Sequence, residues 1–327
     1  MTMTRCIRLV CLLSMFLAVS QKVKASDKWG RQYLPNNPVV TQHGQHLQFY
    51  DNVLKNKIVV ISFIYTSCRD ICPIITARLS QLEEKLGDVV GRDIFFVSIS
   101  IDPENDTPAK LKEYAEVFQT GPGWLFLTGN PADIETIRYK LGDRRAKLSD
   151  HRNEVLLYND STGDWETASA FGDLNALVVT VRAMDPAWRN AKAGAEAATP
   201  QPATRTEAAH INAIGLPGQA LFIKTCGSCH TIGKGEKVGP DLFGVTSRRN
   251  RSWLSSYITA PDKMRSQGDP IALELGAKYR AVKMPNLQLS EVDASDVIAF
   301  IDAQTYAAEA GRKNPQAHEH HHHGHNH

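Results

Sequence analysis

A low-complexity segment beyond the middle of the chain divides this sequence into two parts. Residues 191–209, AKAGAEAATPQPATRTEAA, contain eight alanines, two prolines and no large apolar side chain. Such a segment cannot bury enough apolar surface to offset its ordering entropy, so we predict a linker that, if flexible, spans roughly 25 Å. The sequence therefore predicts two folded domains, at residues 26–190 and 210–305, followed by a tail at 306–327.

The first domain alternates strand signals with helix signals. Four apolar segments rich in β-branched and aromatic residues are typical of buried strands: 57–65, 94–101, 124–127 and 154–158. Thr107-Pro108 and Asn130-Pro131 each join an N-cap residue to a proline suited to the first turn of a helix. Strands that alternate with helices predict an α/β fold built from βαβ units.

The second domain carries helix signals without strand signals. Helices are predicted around residues 217–225 and 253–258. A last helix begins at Ser290, because Asp293 follows three residues later in a capping-box arrangement. The sequence therefore predicts an all-α second domain.

The first 25 residues have the pattern of a secretory signal. Arg5 and Arg8 precede an apolar core at residues 9–19, and a small residue, Ala25, precedes Ser26. We therefore expect a periplasmic or other extracytoplasmic protein, with an uncleaved membrane anchor as the alternative. Removal of residues 1–25, which hold four basic and no acidic side chains, changes the formal charge from +2 to −2. A nucleic-acid-binding surface is not expected at that charge.

The cysteines outside the signal fall into two close pairs. Cys6 and Cys11 lie in the signal, which leaves Cys68 with Cys72 and Cys226 with Cys229. No cysteine remains for a structural disulfide between distant segments. Each pair is therefore predicted to do chemistry.

The second pair lies in the sequence Cys226-Gly227-Ser228-Cys229-His230. C-x-x-C-H is the attachment signature of c-type haem: the two thiols form thioethers to the haem vinyl groups and the histidine binds the iron. The alternative to a haem site is a pair of cysteines that stands beside a histidine by chance. The sequence predicts one covalently attached haem c in this domain.

Two further motifs extend this pattern across the second domain. Gly239-Pro240-Asp241-Leu242 follows a glycine-rich loop, and Met284-Pro285-Asn286 stands just before the last helix. Residues 210–305 thus resemble class I cytochrome c. The resemblance implies that Pro240 packs on the His230 side of the haem and that Met284 is the sixth iron ligand. A His/Met ligand pair leaves no open coordination position, which favours electron transfer.

The first pair, in ISFIYTSCRDICP, has three residues between its cysteines instead of the two of a thioredoxin-type dithiol. Pro73 marks a helix start, and a helix N-terminus lowers the pKa of a cysteine thiol. Thiolates are also soft ligands that select Cu(I). The spacing alone leaves both a metal site and a redox disulfide open.

The first domain contains three motifs in this order: FIYTSCRDICP, VSISIDPENDTP and LSDHRNEVLLYNDSTGDW. Through these motifs it resembles the Sco/SenC family over about residues 33–183. The resemblance implies a thioredoxin-like fold that carries copper for the assembly of respiratory oxidases. It also implies that Cys68, Cys72 and His151 bind one copper ion, as Cu(I) or Cu(II). Arg152 stands where the family commonly has a small polar residue.

The last ten residues, HEHHHHGHNH, contain seven histidines. Imidazoles at this density bind copper, zinc or nickel without a fold. An engineered tag is the alternative, although Glu319, Gly324 and Asn326 interrupt the tract. We predict a metal-gathering tail.

Electron counting favours copper as the counterpart of the haem. A haem passes one electron at a time and Cu(II)/Cu(I) is a one-electron couple, whereas a disulfide needs two electrons. The leading hypothesis is a copper chaperone whose cytochrome domain sets the redox state of copper or of the dithiol. Its expected partners are a copper-centre apo-protein, such as an oxidase subunit, and an electron donor or acceptor protein.

Three other hypotheses remain open from the sequence. The first is a metal-independent thiol–disulfide oxidoreductase that uses Cys68 and Cys72 as a catalytic dithiol coupled to the cytochrome. The others are a thioredoxin-superfamily peroxidase and a plain redox shuttle whose first domain only docks partners.

Overall fold

The structure, a computed structural model of the 327-residue chain, describes residues 32–145, 147, 153–198 and 215–313, with backbone alone at 193–198 and 310–313. Four sequence predictions therefore lie wholly or partly outside the described residues: the signal at 1–25, the ligand His151, residues 199–209 of the linker and the histidine tract at 318–327.

Strands of the first domain form one mixed sheet in the order β2-β1-β5-β4-β3-β6-β7 within the described residues. They are β1 (Pro38–Thr41), β2 (His46–Gln48), β3 (Ile58–Ile64), β4 (Ile94–Ser100), β5 (Trp124–Thr128), β6 (Glu154–Asn159) and β7 (Asp164–Ser169). The central strands β3, β4 and β5 are parallel, whereas β1, β2, β6 and β7 pair antiparallel at the two edges.

Helices cover both faces of this sheet. They are α1 (Cys72–Leu86), α2 (Pro108–Val117), α3 (Pro131–Lys140), α4 (Leu174–Ala183) and α5 (Pro186–Ala198). The predicted starts of α2 and α3 are confirmed, because Thr107 accepts a hydrogen bond from the Lys110 amide and Asn130 accepts one from the Ala132 amide. Helix α1 joins β3 to β4 and α2 joins β4 to β5, so each parallel pair is a βαβ unit.

Alternate side chains of β3 enter two different apolar cores. Val60 and Ile64 pack with the buried face of α1, whereas Val59 and Ile61 pack on the opposite side with α3. Burial on both faces explains why β3 reads as a continuous apolar run rather than an alternating one. The predicted α/β fold is thus confirmed.

The described part of the second domain contains helices and no strands. They are α6 (Gln219–Lys224), α7 (Val245–Arg248), α8 (Arg251–Thr259), α9 (Pro261–Ser266), α10 (Pro270–Lys278) and α11 (Glu291–Lys313). The predicted capping box is confirmed: the Asp293 amide donates to Ser290 Oγ, and the Ser290 amide donates to Asp293 Oδ2 at 2.9 Å. Helix α6 packs on α11 through Phe222 and Phe300, whose ring centroids are 5.2 Å apart.

Two helices extend into the segments predicted as linker and tail. Helix α5 continues to Ala198, so residues 191–198 of the predicted linker are helical. Alanine has the highest helix propensity, and the run could therefore extend the helix that begins at Pro186. The estimate of 25 Å for 19 flexible residues does not hold. Likewise α11 runs through Lys313 and takes in the first eight residues of the predicted tail.

No helix in the described part of the chain has the length and apolarity that a bilayer span requires.

Candidate copper and haem sites

The dithiol lies where β3 ends and α1 begins. Cys68 follows the carboxyl end of β3, and Cys72 is the first residue of α1, as Pro73 predicted. Both are free cysteines and both are buried, with 6% and 4% of their surface exposed. A pair of buried sulfurs at the tip of a parallel strand is poised for metal binding or for thiol chemistry.

The two thiols differ because they share a hydrogen bond. The Cys72 thiol donates to Cys68, and this lowers the pKa of Cys68 to about 5 against the opposing effect of burial. The same hydrogen bond, together with burial, raises the pKa of Cys72. At neutral pH the pair is therefore a thiolate at Cys68 and a thiol at Cys72, which hold one proton between them.

An aromatic hydroxyl and a cation also face the pair. Burial and a hydrogen bond to Cys68 raise the pKa of Tyr65, so its hydroxyl remains protonated and donates to the thiolate. The positive charge of Arg145 acts on Cys72. Arg145 is held by a bidentate contact with the buried carboxylate of Asp143, at 2.5 and 2.9 Å.

Asp106, which the sequence patterns did not predict as a site residue, forms hydrogen bonds that hold the start of the dithiol loop. It is 1% exposed and accepts hydrogen bonds from the Thr66 amide, the Thr66 hydroxyl at 2.5 Å and the Ser100 hydroxyl at 2.6 Å. Burial raises the pKa of this carboxyl group, although the donors oppose the shift. Asp106 thus ties the end of β4 to the start of the dithiol loop.

The predicted third copper ligand, His151, lies outside the described residues. The register that pairs Ile61 with Leu156 brings the start of β6 beside the carboxyl end of β3, the edge from which the Cys68 loop departs. His151 precedes β6 by three residues in the sequence. The described residues contain no cluster of three or more metal-ligating side chains, so the ligand set stays a prediction.

The predicted haem residues of the second domain line one cavity. The cavity is lined by all five of them: Cys226, Cys229, His230, Pro240 and Met284. The cavity encloses about 1460 Å³ not filled by protein atoms, part of it open to solvent. Its other walls are mostly apolar and come from α8, α10 and α11. Sequence reasoning predicted each of these five residues, and the structure brings them together.

The orientation of His230 suits a metal ligand. Its Nδ1 lies 2.9 Å from the carbonyl oxygen of Pro240, and burial lowers the pKa of the imidazole. A neutral ring that donates from Nδ1 to this carbonyl leaves Nε2 free to bind a metal. Burial raises the pKa of Cys226 to about 12 and that of Cys229 to about 11, so both enter the cavity as thiols.

A partly buried arginine completes the cavity. Arg265 donates from Nη2 to the Met284 carbonyl oxygen at 3.2 Å, whereas its buried Nη1 makes no hydrogen bond to the described residues. An unused donor at such a position suits a ligand carboxylate. Two thiols, a neutral imidazole, a thioether and this guanidinium fit a covalently attached haem.

Comparison with known families decides the identity of both domains. Residues 36–163 match the SCO1/SenC family, and residues 216–305 match the cytochrome c family. The chain joins a SCO1/SenC domain to a cytochrome c domain. The predicted thioredoxin-like fold of the Sco domain and the predicted cytochrome fold are confirmed.

Individual relatives match the Sco domain. The chain is 34% identical over 105 residues to the SCO1 protein homolog of Bacillus subtilis, which covers 32% of this chain and 54% of that protein. It is 37% identical over 125 residues to an SCO2-like protein of Rickettsia felis, with 38% and 58% coverage. The chain thus spans a little over half the length of these curated relatives.

Solved structures of the same family are also similar. A SCO1/SenC family lipoprotein from Bacillus anthracis aligns with a TM-score of 0.41 at 24% identity, over 48% of this chain and 95% of that chain. Bradyrhizobium japonicum ScoI, solved with copper bound, aligns with a TM-score of 0.39 at 24% identity, over 46% and 97%.

Proposed function

We propose that this chain is an extracytoplasmic copper chaperone that binds one copper ion at Cys68, Cys72 and His151 and prepares a respiratory copper centre. The observation that carries the proposal is the buried thiol–thiolate pair at the end of β3, with the start of β6 beside it. A similar protein from Stutzerimonas stutzeri, 30% identical over 109 residues, is described as a putative copper-binding protein. The clients of the Sco family, oxidase copper subunits, are the proposed partners.

Copper binding at the dithiol releases the proton that the two cysteines share. Binding of Cu(I) by the Cys68 thiolate and the Cys72 sulfur releases the one proton that the pair holds at neutral pH. Two sulfurs and one neutral imidazole give a trigonal site of soft and borderline ligands, which suits Cu(I) and also accommodates Cu(II). Tyr65 and Arg145 offset the negative charge that two thiolates add to the site.

The second domain supplies the electron partner of this site. A haem attached at Cys226 and Cys229 would be held by His230 and Met284, and when bound it supplies one-electron transfer. His230 is oriented for this role by the Pro240 carbonyl group. The proposal places electron flow between this domain and the copper or dithiol site in one-electron steps, and an external redox protein completes the circuit.

The test uses the haem-loaded, reduced protein that ends at Lys313, so that the histidine tract is absent and α11 is complete. Cu(II) is added without oxygen while the haem spectrum and bound Cu(I) are measured. We expect haem oxidation with about one Cu(I) retained per chain. Both effects should be lost in Cys72→Ser and His151→Ala and kept in His43→Ala, an exposed control. A wild type that binds copper while its haem stays reduced would contradict internal electron transfer.

A metal-independent thiol–disulfide oxidoreductase is the second candidate. The lowered pKa of Cys68 favours it, because a thiolate is the nucleophile of thiol–disulfide exchange. His151 distinguishes the two functions, since exchange does not need a third metal ligand. Full oxidase assembly in cells that carry His151→Ala, with loss in Cys68→Ser and in Cys72→Ser, would establish exchange and exclude the copper site.

A further inference from the structure

A buried arginine of the Sco domain reaches into the cytochrome domain. Arg78, on α1, is 3% exposed and directs its three donor nitrogens at three carbonyl oxygens. Nε and Nη2 contact Ala170 and Gly172 at 2.5 and 2.6 Å, and Nη1 contacts Lys224, the last residue of α6, at 2.9 Å. The guanidinium thus joins the β7–α4 loop to the helix that leads into the haem motif.

One turn further along α1, Gln81 contacts the haem motif itself. Its Nε2 donates to the carbonyl oxygen of Gly227 at 3.0 Å. Gly227 lies between the two haem-binding cysteines. Because residues three apart share one face of a helix, Arg78 and Gln81 point to the same neighbour.

The first turn of α1 forms part of the haem cavity. Pro73 and Ile74 line that cavity together with Cys229 and His230. One face of α1 meets the cytochrome domain along about two turns, because Ile74, Arg78 and Gln81 are spaced at i, i+4 and i+7. Cys72, immediately before Pro73, packs in the same apolar cluster as Val238 and Val282 of the cytochrome domain.

The residues between the two cysteines of the dithiol also face the cytochrome domain. Arg69 and Asp70 line a cleft whose other side includes Lys283 and Asn286, the residues that flank Met284-Pro285. The first turn of α1 therefore carries Cys72 of the dithiol and also contributes Pro73 and Ile74 to the wall of the haem cavity.

We propose that the face of α1 formed by Ile74, Arg78 and Gln81 is a docking face for the haem motif, and that Arg78 and Gln81 are positioning residues for electron exchange between the two sites. The exchange role rests on the proposed function, whereas docking does not. Each exchange moves one electron, so that Cu(II) becomes Cu(I) as the haem iron goes from ferrous to ferric. Docking makes the separation of the sites a property of α1 and not of the linker.

The first test measures docking in the intact haem-loaded chain without copper. Gln81→Glu replaces a donor by a carboxylate that faces the Gly227 carbonyl oxygen, and Gln81→Ala removes the donor alone. Glu84→Ala, at an exposed position on α1, is the matched control. We expect Gln81→Glu to increase the radius of gyration in X-ray scattering and to speed amide exchange in residues 224–230, with a smaller effect in Gln81→Ala. Unchanged far-UV circular dichroism and haem spectra confirm that both domains remain folded.

Two outcomes would overturn the docking face. One is a wild type whose scattering already corresponds to two separated domains. The other is a Gln81→Glu variant that matches Glu84→Ala in both scattering and amide exchange. Arg78→Lys provides an independent variant, because it keeps the charge and cannot reach three carbonyl groups at once.

The second test measures positioning. After the reduced protein that ends at Lys313, without the histidine tract, is mixed with one equivalent of Cu(II), the first-order rate of haem oxidation should fall at least tenfold in Gln81→Glu. The copper stoichiometry and the iron ligation seen in the haem spectrum should stay as in the wild type, because a general structural defect would change them. An unchanged rate overturns the positioning role. A wild type that binds no copper overturns the proposed function and with it the exchange role, whereas the scattering and amide-exchange measurements, made without copper, decide the docking face.

Discussion

Gly239 lies directly against the imidazole ring of His230. A Cβ atom at position 239 would stand 2.5 Å from His230 Cε1 and 2.9 Å from Nδ1, closer than atoms pack. We therefore expect Gly239→Ala to displace the ring from its hydrogen bond to Pro240 and to cost about 1–3 kcal/mol in the free energy of unfolding. Denaturant unfolding of the haem-loaded protein, with the iron ligation followed by its absorption spectrum, measures both effects.

The control for this variant is Gly215→Ala in the same domain. The nearest atom to a Cβ at position 215 is Gln219 Oε1 at 3.7 Å, an ordinary contact. Its stability and haem spectrum should match the wild type. Equal spectra and stabilities for the two variants would contradict the role assigned to Gly239.

The shared proton of Cys68 and Cys72 predicts a pH profile. Because the pKa of Cys68 is lowered to about 5, its thiolate forms as the pH rises through 5 in the reduced, metal-free protein. Alkylation of Cys68 by iodoacetamide should therefore have its midpoint near pH 5. Cys72→Ala removes the principal hydrogen bond that stabilises the thiolate, so its midpoint should move towards the usual range and its rate at pH 6 should fall at least about tenfold.

Mass spectrometry of the alkylated peptides assigns the reaction to one cysteine. Cys226 and Cys229 are held by haem thioethers in the loaded protein and do not compete. A wild-type midpoint above pH 8 would show that the two thiols share no proton.

Sequence patterns predicted the elements whose signals are local. The strands that contain Val60 and Phe96 were readable because both faces are buried, and the caps at Thr107 and Asn130 act within three residues. The strands β1, β2 and β7 were missed, since they are short or exposed edge strands whose partners, not their composition, hold them in the sheet.

The site residues that lie in short sequence motifs were predictable from the sequence. Cys68, Cys72 and the haem residues were found because their spacing is itself the chemical requirement. Asp106 was not found, because its partners Thr66 and Ser100 become neighbours only when β3 and β4 pair. Arg78 meets Lys224 across 146 positions of sequence, and no periodicity of α1 reports such a contact.

Asp106 offers a test of how the dithiol loop is held. Asp106→Ala removes the acceptor of the part-buried Thr66 amide and hydroxyl and of the buried Ser100 hydroxyl, which should cost on the order of 2 kcal/mol in the free energy of unfolding. Copper affinity should also fall, since Thr66 precedes Cys68 by two residues. Urea unfolding and competition with a Cu(I) chelator measure these two losses.

The matched control is Asp102→Ala in the same loop. Among the described residues, the Asp102 carboxylate accepts hydrogen bonds only from the exposed side-chain amide of Asn105. Its loss should change stability by less than 0.5 kcal/mol, as is usual for surface substitutions. A larger loss in Asp102→Ala than in Asp106→Ala would refute the role given to Asp106.

The histidine tract can be removed without shortening a helix only beyond Lys313, where α11 ends. Thr305 Oγ1 accepts a hydrogen bond from the Gly244 amide, and the helix then continues from Tyr306 to Lys313. A chain that ends at Tyr306 therefore loses seven helical residues beside this contact, whereas one that ends at Lys313 keeps the helix. We expect truncation after Lys313 to leave the thermal unfolding of the haem domain unchanged and to abolish only the weaker copper binding predicted for the tract. Titration with Cu(II) against a graded series of chelators separates tight from weak ions. If the one tightly bound ion also disappears, the tract supplies a ligand to the main site, and the three-ligand set of Cys68, Cys72 and His151 is incomplete.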